Sequence, residues 1–292
     1  MPAGKPLFSA TIMKALIAAC SLVLVCSFFA CDEIGMPYEK TTTTGPVDTT
    51  KVIKKVLLEE YTGQTCTNCP NGHRIAASIK AVYGDRMITM AIHSGGFAEP
   101  DPPKYPNDFR TAAGNTLNAT FGLSSYPSGV INRSQISGQF VQSTAAWSSD
   151  VANAMNDTAY VKLELSSVYT AASGDVAITV KTTALKNFTT TKALNVALYV
   201  VEDSVIAPQL DGSAIVTNYV HRDMLRDSPL GAFGTEFMPG TTVAANTVTT
   251  QTFHTSISGK TWNVGHLKIV GIVCEKDPTY IIWQAEEVKL AL

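Results

Sequence analysis

The chain has 292 residues, enough for about two domains that each bury a core. Charged residues make up only 16%, apolar residues reach 45%, and the formal net charge is −2. Residues 1–30 hold Lys5 and Lys14 and no acid, so the remainder carries −4 and has no basic stripe of the kind a nucleic-acid partner requires.

Lys14 is followed by an unbroken run of small and apolar residues from Ala15 to Ala30. A basic start, a short apolar stretch and a small residue before a cleavage point make a secretory signal over residues 1–30. The run is shorter than the ~20 residues of a membrane-spanning helix. An ordinary cleaved signal and an uncut anchor helix are the rival readings. Phe29-Ala30-Cys31 resembles a bacterial lipobox, which implies that Cys31 is acylated and becomes the new N-terminus. Met13-Lys14 is then the expected start of the chain. Asp32-Glu33 resemble a surface-display signal in some Gram-negative lineages and, through the Asp, inner-membrane retention in others.

Residues 31–52 contain Thr41-Thr42-Thr43-Thr44, Gly45-Pro46 and Thr49-Thr50, a composition that cannot pack and reads as a tether. Val56-Leu57-Leu58 then predicts a strand, Glu59 to Thr65 a turn, and Cys66 to Val82 a helix with Ile75, Ile79 and Val82 on one face. Met87 to His93 reads as a second strand. Asn107 to Phe121 reads as a helix, Tyr126 to Asn132 as a turn entering a third strand, and Thr144 to Met155 as a further helix. After Thr158 the pattern turns to alternation: Val161–Tyr169, Val176–Thr183, Leu194–Val201, Thr242–Phe253, Leu267–Glu275 and Tyr280–Val288. Such a succession of strands predicts an antiparallel sandwich. Asp203 to Gly240 reads as a long insertion between them. Two separately compact parts, dividing near residues 156–160, are expected.

Once residues 1–30 and Cys31 are set aside, Cys66, Cys69 and Cys274 remain. An exported chain lives where disulfides persist. Cys66, placed at the start of a helix, gains from its free N–H groups and positive dipole, which lower a thiol pKa and make it the nucleophile. Cys69, one turn on, becomes the resolving thiol. The bland alternative is a static bridge, although so short a loop gains little entropically.

Strand, turn, Cys66-Thr67-Asn68-Cys69 and helix, followed by a Pro-containing turn into a strand, resemble the thioredoxin fold. The resemblance implies that Tyr126-Pro127 is the cis-proline loop beside a Cys66–Cys69 disulfide. It further implies that Glu60, six residues before Cys66, is the buried acid that moves the proton of the second thiol. Thr65 replaces the usual Trp, and Thr67-Asn68 replaces Gly-Pro. A wider set of blocks covers nearly all of the chain after the tether: Leu57 to Gly63, Cys69-Pro70 with Gly72-His73, Tyr126 to Arg133, His221 to Arg226, and Gln284 to Val288. Together they resemble the outer-membrane-protein-28-related lipoprotein family. This implies an α/β plus all-β architecture, with a thioredoxin-like domain over 53–157 followed by an antiparallel β-sandwich domain over 158–292. It also implies a cell-envelope, outer-membrane lipoprotein, held to the membrane by its N-terminal lipid and facing either the periplasm or the surface.

Cys66-x2-Cys69-x3-His73 has ligand-like spacing, but only His93 is near enough in sequence to add to it, so no tetrahedral metal site is expected. Haem attachment needs His directly after the second cysteine, where Pro70 stands. No cofactor is expected. Cys274 reads as an inert core residue, and His221, Arg222 and Arg226, with Tyr219, as a polar segment packed on the sandwich edge, a ligand or partner surface being the alternative. Three functions compete: thiol–disulfide exchange outside the cytoplasm on an unknown protein or peptide partner, a surface binding or adhesion module on a thioredoxin scaffold, and a structural envelope component. Metabolic labelling with a fatty acid tests the anchor: the wild-type chain should take up label and Cys31→Ser should not.

Overall fold

The computed structural model describes residues 52–238 and 240–292. The signal segment, Cys31 and the tether up to residue 51 lie outside the described residues. Three helices and sixteen strands follow in order: β1 (Val56–Thr62), α1 (Cys69–Tyr83), β2 (Met87–His93), α2 (Ala112–Phe121), β3 (Ser128–Ile131), β4 (Val141–Ser143), α3 (Trp147–Ala154), β5 (Val161–Thr170), β6 (Asp175–Ala184), β7 (Phe188–Thr189), β8 (Leu194–Glu202), β9 (Val205–Asp211), β10 (Ala214–His221), β11 (Met224–Asp227), β12 (Thr235–Met238), β13 (Thr242–Val243), β14 (Val248–Ser256), β15 (Leu267–Glu275) and β16 (Ile282–Lys289). The chain is mostly β, arranged in several sheets.

The largest sheet has nine strands in the order β16-β15-β8-β11-β2-β1-β3-β4, with β12 also on β8. β1 and β2 run parallel, Leu57 opposite Ile88, while β3 is antiparallel to β1. Each central strand alternates between two cores, as a period of two requires. In β8, Leu194, Val196, Leu198 and Val200 face the three-stranded sheet β14-β6-β5, whose Leu163, Ile178 and Val180 share that core. Ala197, Tyr199 and Val201 face the opposite way, into a core with Leu57, Ile92, Leu117 and Phe121. A third core joins Val56, Leu58 and Met87 to Ala76 and Ile79 of α1 and to Trp147 of α3. Trp147 lies so close over β3 that a Cβ on Gly129 would stand 2.5 Å from its Nε1, which is why glycine occupies that strand position.

Two parts dividing near residues 156–160 were expected; instead the described residues fall in one compact unit. The physical reason is β11, four residues inside the stretch that reads as an insertion. Met224 pairs in parallel with Ala91 of β2, and Leu225 pairs antiparallel with Val201 of β8. The Ala91 N–H also donates to the Asp223 carbonyl at 2.8 Å. Strands from both sides of residue 157 therefore share one sheet. The predicted strand Thr242–Phe253 is two strands, broken at Asn246, which sits at φ 64°.

A buried ion pair crosses the same junction. Arg133, just after β3, donates from Nε to both Glu59 oxygens (3.1 and 3.0 Å) and from Nη2 to Glu59 at 2.5 Å and to the Tyr199 hydroxyl at 2.6 Å. Both charged side chains are fully buried. The guanidinium also lies 5.6–5.8 Å from the ring centres of Phe121, Tyr199 and Phe233. Burial works against the Arg133 charge, but the Glu59 carboxylate outweighs it and holds the guanidinium firmly protonated. Arg133→Met should cost about 3–5 kcal/mol in urea unfolding, because it strands a buried carboxylate. Adding Glu59→Leu should recover most of the loss.

Candidate functional site

β1 delivers two adjacent carboxyls to opposite faces of the sheet: Glu59 to the core with Arg133, and Glu60 to the face covered by α1. The chain then turns through Gly63–Asn68, where the Cys66 N–H is taken by the Gly63 carbonyl at 3.1 Å. The helix opens at Cys69 with Asn68 as N-cap and Pro70 in its first turn, a position that suits proline's missing N–H. Cys66 was expected to open the helix; it lies three residues ahead of it, because Thr67 and Asn68 form a turn instead. Cys66 and Cys69 are joined by a disulfide with Cα atoms 5.4 Å apart. Neither sulfur-bearing residue is open to solvent: Cys66 is 2% exposed and Cys69 0%. The expected exposed nucleophile is thus covered.

The cover is a hairpin, β9–β10, inside the stretch that the sequence reads as an insertion. The Gln209 side chain, itself fully buried, reaches the carbonyls of Gly63 and Cys66 at 3.2 Å each. Backbone N–H groups of Leu210 and Gly212 donate to Gln64 and Thr67 at 2.9 and 3.0 Å. The Thr67 hydroxyl donates back to the Gly212 carbonyl, and Arg74 of α1 pairs with Asp211 at 3.1 Å. The signal was present: Asp211 and Ala214 pair across a two-residue Gly212-Ser213 loop, a hairpin-forming sequence between apolar Leu210 and Ile215.

Glu60 is 4% exposed. A Cβ on Gly72 would stand 3.0 Å from Glu60 Oε1 and 2.8 Å from Pro127 Cβ, so helix, acid and proline loop meet with no room between them. The Tyr126–Pro127 peptide bond is cis. Desolvation, reinforced by the Asp223 charge, raises Glu60 from 4.5 to about 8. His73 Nε2 stands 3.6 Å from Glu60 Oε1, too far for a hydrogen bond, and is bonded to the Thr62 hydroxyl at 3.0 Å. Its Nδ1 is bonded to the Tyr219 hydroxyl of β10 at 2.6 Å. Burial, helped by His221 and Arg74, lowers His73 to about 3.

The segment from Tyr219 to Arg226 does not lie on a sandwich edge. His221 is buried with its ring 5.3 Å from that of His93, and both rings pack on Phe109. None of their four ring nitrogens has a hydrogen-bond partner. Burial lowers His221 to about 4 and holds His93 well below its ordinary value. Arg226 pairs with Glu202 at 3.3 Å, while the exposed Arg222 pairs with Asp203 at 3.0 Å. Cys274 is fully buried in the large sheet, and burial pushes its thiol up to about 11. Among the described residues no group of three or more His, Cys, Asp or Glu side chains is placed to hold a metal ion.

These shifts set opposite pH limbs. His221 in the fold lies below its unfolded value, so its stability contribution is present above about pH 6.5 and is lost as pH falls through about 4. Glu60 lies above its unfolded value, so its contribution is present below pH 4.5 and is lost as pH rises through about 8. Chemical unfolding across pH 3–9 should flatten on the acid side by about 3 kcal/mol in His221→Phe and on the alkaline side by about 5 kcal/mol in Glu60→Gln.

The family model for outer membrane protein Omp28 matches residues 114–290, which leaves out β1 and α1 with both disulfide cysteines. No curated protein sequence matches the chain. Among solved structures, HBP35 of Porphyromonas gingivalis superposes with a TM-score of 0.63 at 17% identity, over 82% of this chain and 76% of that one. A protein from Agrobacterium tumefaciens superposes with a TM-score of 0.51 at 9% identity, over 82% and 95%. A domain of the outer membrane lipoprotein Omp28 from Porphyromonas gingivalis is 22% identical over 45% of this chain and 88% of that one, with a TM-score of 0.28. At these identities the first two show a common fold alone. No helix among the described residues is long and apolar enough to cross a membrane. The chain belongs to the outer membrane protein Omp28 family, and its place is the cell envelope, at the outer membrane.

Proposed function

We propose that this protein is an outer-membrane lipoprotein, anchored through Cys31, whose Cys66–Cys69 pair exchanges disulfides with a protein or peptide partner outside the cytoplasm. In this reading β1, α1, β2 and the Pro127 loop with β3 are a thioredoxin-like unit. The three-stranded sheet on the C-terminal half of the large sheet makes the sandwich-like part.

The observation that carries the reading is Glu60. A static bridge needs no carboxyl buried beneath the helix that bears one of its cysteines, and burying one is costly. Exchange does need it. Starting from the disulfide, a partner thiolate attacks Cys66 Sγ, a mixed disulfide forms, and Cys69 leaves as a thiolate that takes the Glu60 proton. A second partner thiolate then attacks the mixed disulfide and releases Cys66; the partner dithiol is oxidised to a disulfide and the pair here is reduced. Glu60, protonated at neutral pH through its raised pKa of about 8, is the acid for that step and the base for its reverse.

The hairpin sets the access: because Gln209 is bonded to the Cys66 carbonyl, a partner must lift β9 to reach the sulfur. Redox titration with thiol trapping should give a potential in the exchange range, about −120 to −270 mV. Gln209→Ala should speed reduction by dithiothreitol several-fold, and Cys69→Ser should accumulate mixed disulfides on Cys66. A potential below about −300 mV with no trapped partner would reduce the pair to a staple, and the binding-scaffold reading would take its place.

A further inference from the structure

A cavity of about 570 Å³ opens beside Glu60, between the outer half of α1 and the chain that joins β10 to β11. That volume lies within the range of small-molecule sites. Its walls are built from short apolar side chains, Ala76, Ala77 and Ala81 on the helix, facing Tyr219 and Val220. The alanines are the reason for the space: three of the helix positions that line it carry nothing beyond a methyl group.

The charges around it are unequally committed. Both bordering cations are already spent: Lys80 on the Met87 carbonyl (3.0 Å) and Glu287 (3.3 Å), and Arg222 on Asp203 (3.0 Å) and the Ser204 hydroxyl (2.7 Å). Asp223 is held by Lys268 at 2.6 Å and by the Thr89 hydroxyl. Two carboxyls remain. Asp85 at the exposed rim has no ion pair or side-chain hydrogen bond among the described residues, and Glu60 at the inner end has an Oε1 that is buried and without a hydrogen-bond partner.

We propose that this cavity binds a small organic cation, an amine with an apolar body, seating its ammonium group on Glu60. An apolar enclosure with no uncommitted cation disfavours organic anions, since nothing inside neutralises them and Asp85 stands at the rim. A neutral apolar solute gains the walls but at most one hydrogen bond at the inner end. An ammonium group gains the walls and a charge-assisted pair in a water-poor setting, where such a pair is strongest. Its arrival releases the Glu60 proton to solvent. The other titratable groups facing Glu60 are neutral His73 from α1, Tyr219 from β10 and Asp223 before β11, none of which supplies a competing cation. The site does not depend on the redox reading, because it needs Glu60 and the cavity but neither sulfur.

Calorimetric titration of the purified oxidised chain with n-hexylamine, sodium hexanoate and hexanol, three probes of one shape and three charge states, tests it. Hexylamine should bind saturably at one site and at least tenfold more tightly than the other two, with a proton released on binding. Glu60→Gln should weaken it at least tenfold. Ala77→Phe, on the exposed side of α1, should abolish it while leaving the melting temperature within a few degrees of wild type. A Cys66→Ser/Cys69→Ser chain should bind as wild type, so a failure of thiol exchange leaves this result readable. Hexanoate or hexanol binding as tightly as hexylamine, no saturable hexylamine binding, or full affinity in Glu60→Gln overturns the proposal.

Discussion

Everything in this fold turns on the contact between Glu59 and Arg133. Two fully buried opposite charges can persist only if their geometry is excellent and further hydrogen bonds offset their desolvation. Here the acid comes from β1, the base from the turn after β3, and one such further bond from the Tyr199 hydroxyl of β8, while Arg133 Nη1 is buried without a partner among the described residues. Tyr199 in turn donates to the Ala232 carbonyl at 2.7 Å, which brings the segment after β11 into the same network. Arg133 accepts a left-handed backbone at φ 49° to reach this position, a conformation that a non-glycine residue adopts only when its surroundings insist on it. The pair thus locks the register between the first strands of the chain and strands that arrive more than sixty residues later.

The neighbouring acid shows how a strand turns one residue of spacing into two chemistries. Glu59 meets a guanidinium; Glu60, one position on, faces alanines, glycine and proline beneath α1 and keeps its proton to about pH 8. A single slip of β1 would exchange them and leave both faces wrong. The hairpin above adds a second layer of control. It holds the disulfide loop by backbone and amide contacts, and it contributes the tyrosine that orients His73.

Much of this was legible in the residues, and the misses share one cause. β2 and β15 have the boundaries that their apolar residues set out in the sequence, and the burial of Cys274 follows from the run around it. The start of α1 was misplaced by three residues, because Pro70 marks the first turn more strongly than Cys66 does. β11 was invisible: four residues, Met224-Leu225-Arg226-Asp227, are too few for a period, and their pairing partners lie far away in sequence. The β9–β10 hairpin had a local signature in Gly212-Ser213, but its role over Cys66 depends on Gln209 reaching back some 140 residues, which no local pattern encodes. Periodicity reveals which face of an element is apolar; it does not reveal what that face meets.

The position of β2 has a consequence for how the chain is made. Before its C-terminal half arrives, β2 has β1 on one side and an open edge on the other, with Met90 and Ile92 bare of their eventual neighbours. A chain threaded into the envelope N-terminus first must carry that edge until Met224 has emerged to close it, and the outer strands of the sheet wait for residues up to Lys289. Contacts of such sequence separation form slowly, and an unpaired apolar edge is a template for the wrong neighbour. The interval between the appearance of β2 and that of β11 is therefore the vulnerable stage of biogenesis, when a holding chaperone has a defined strand to shield.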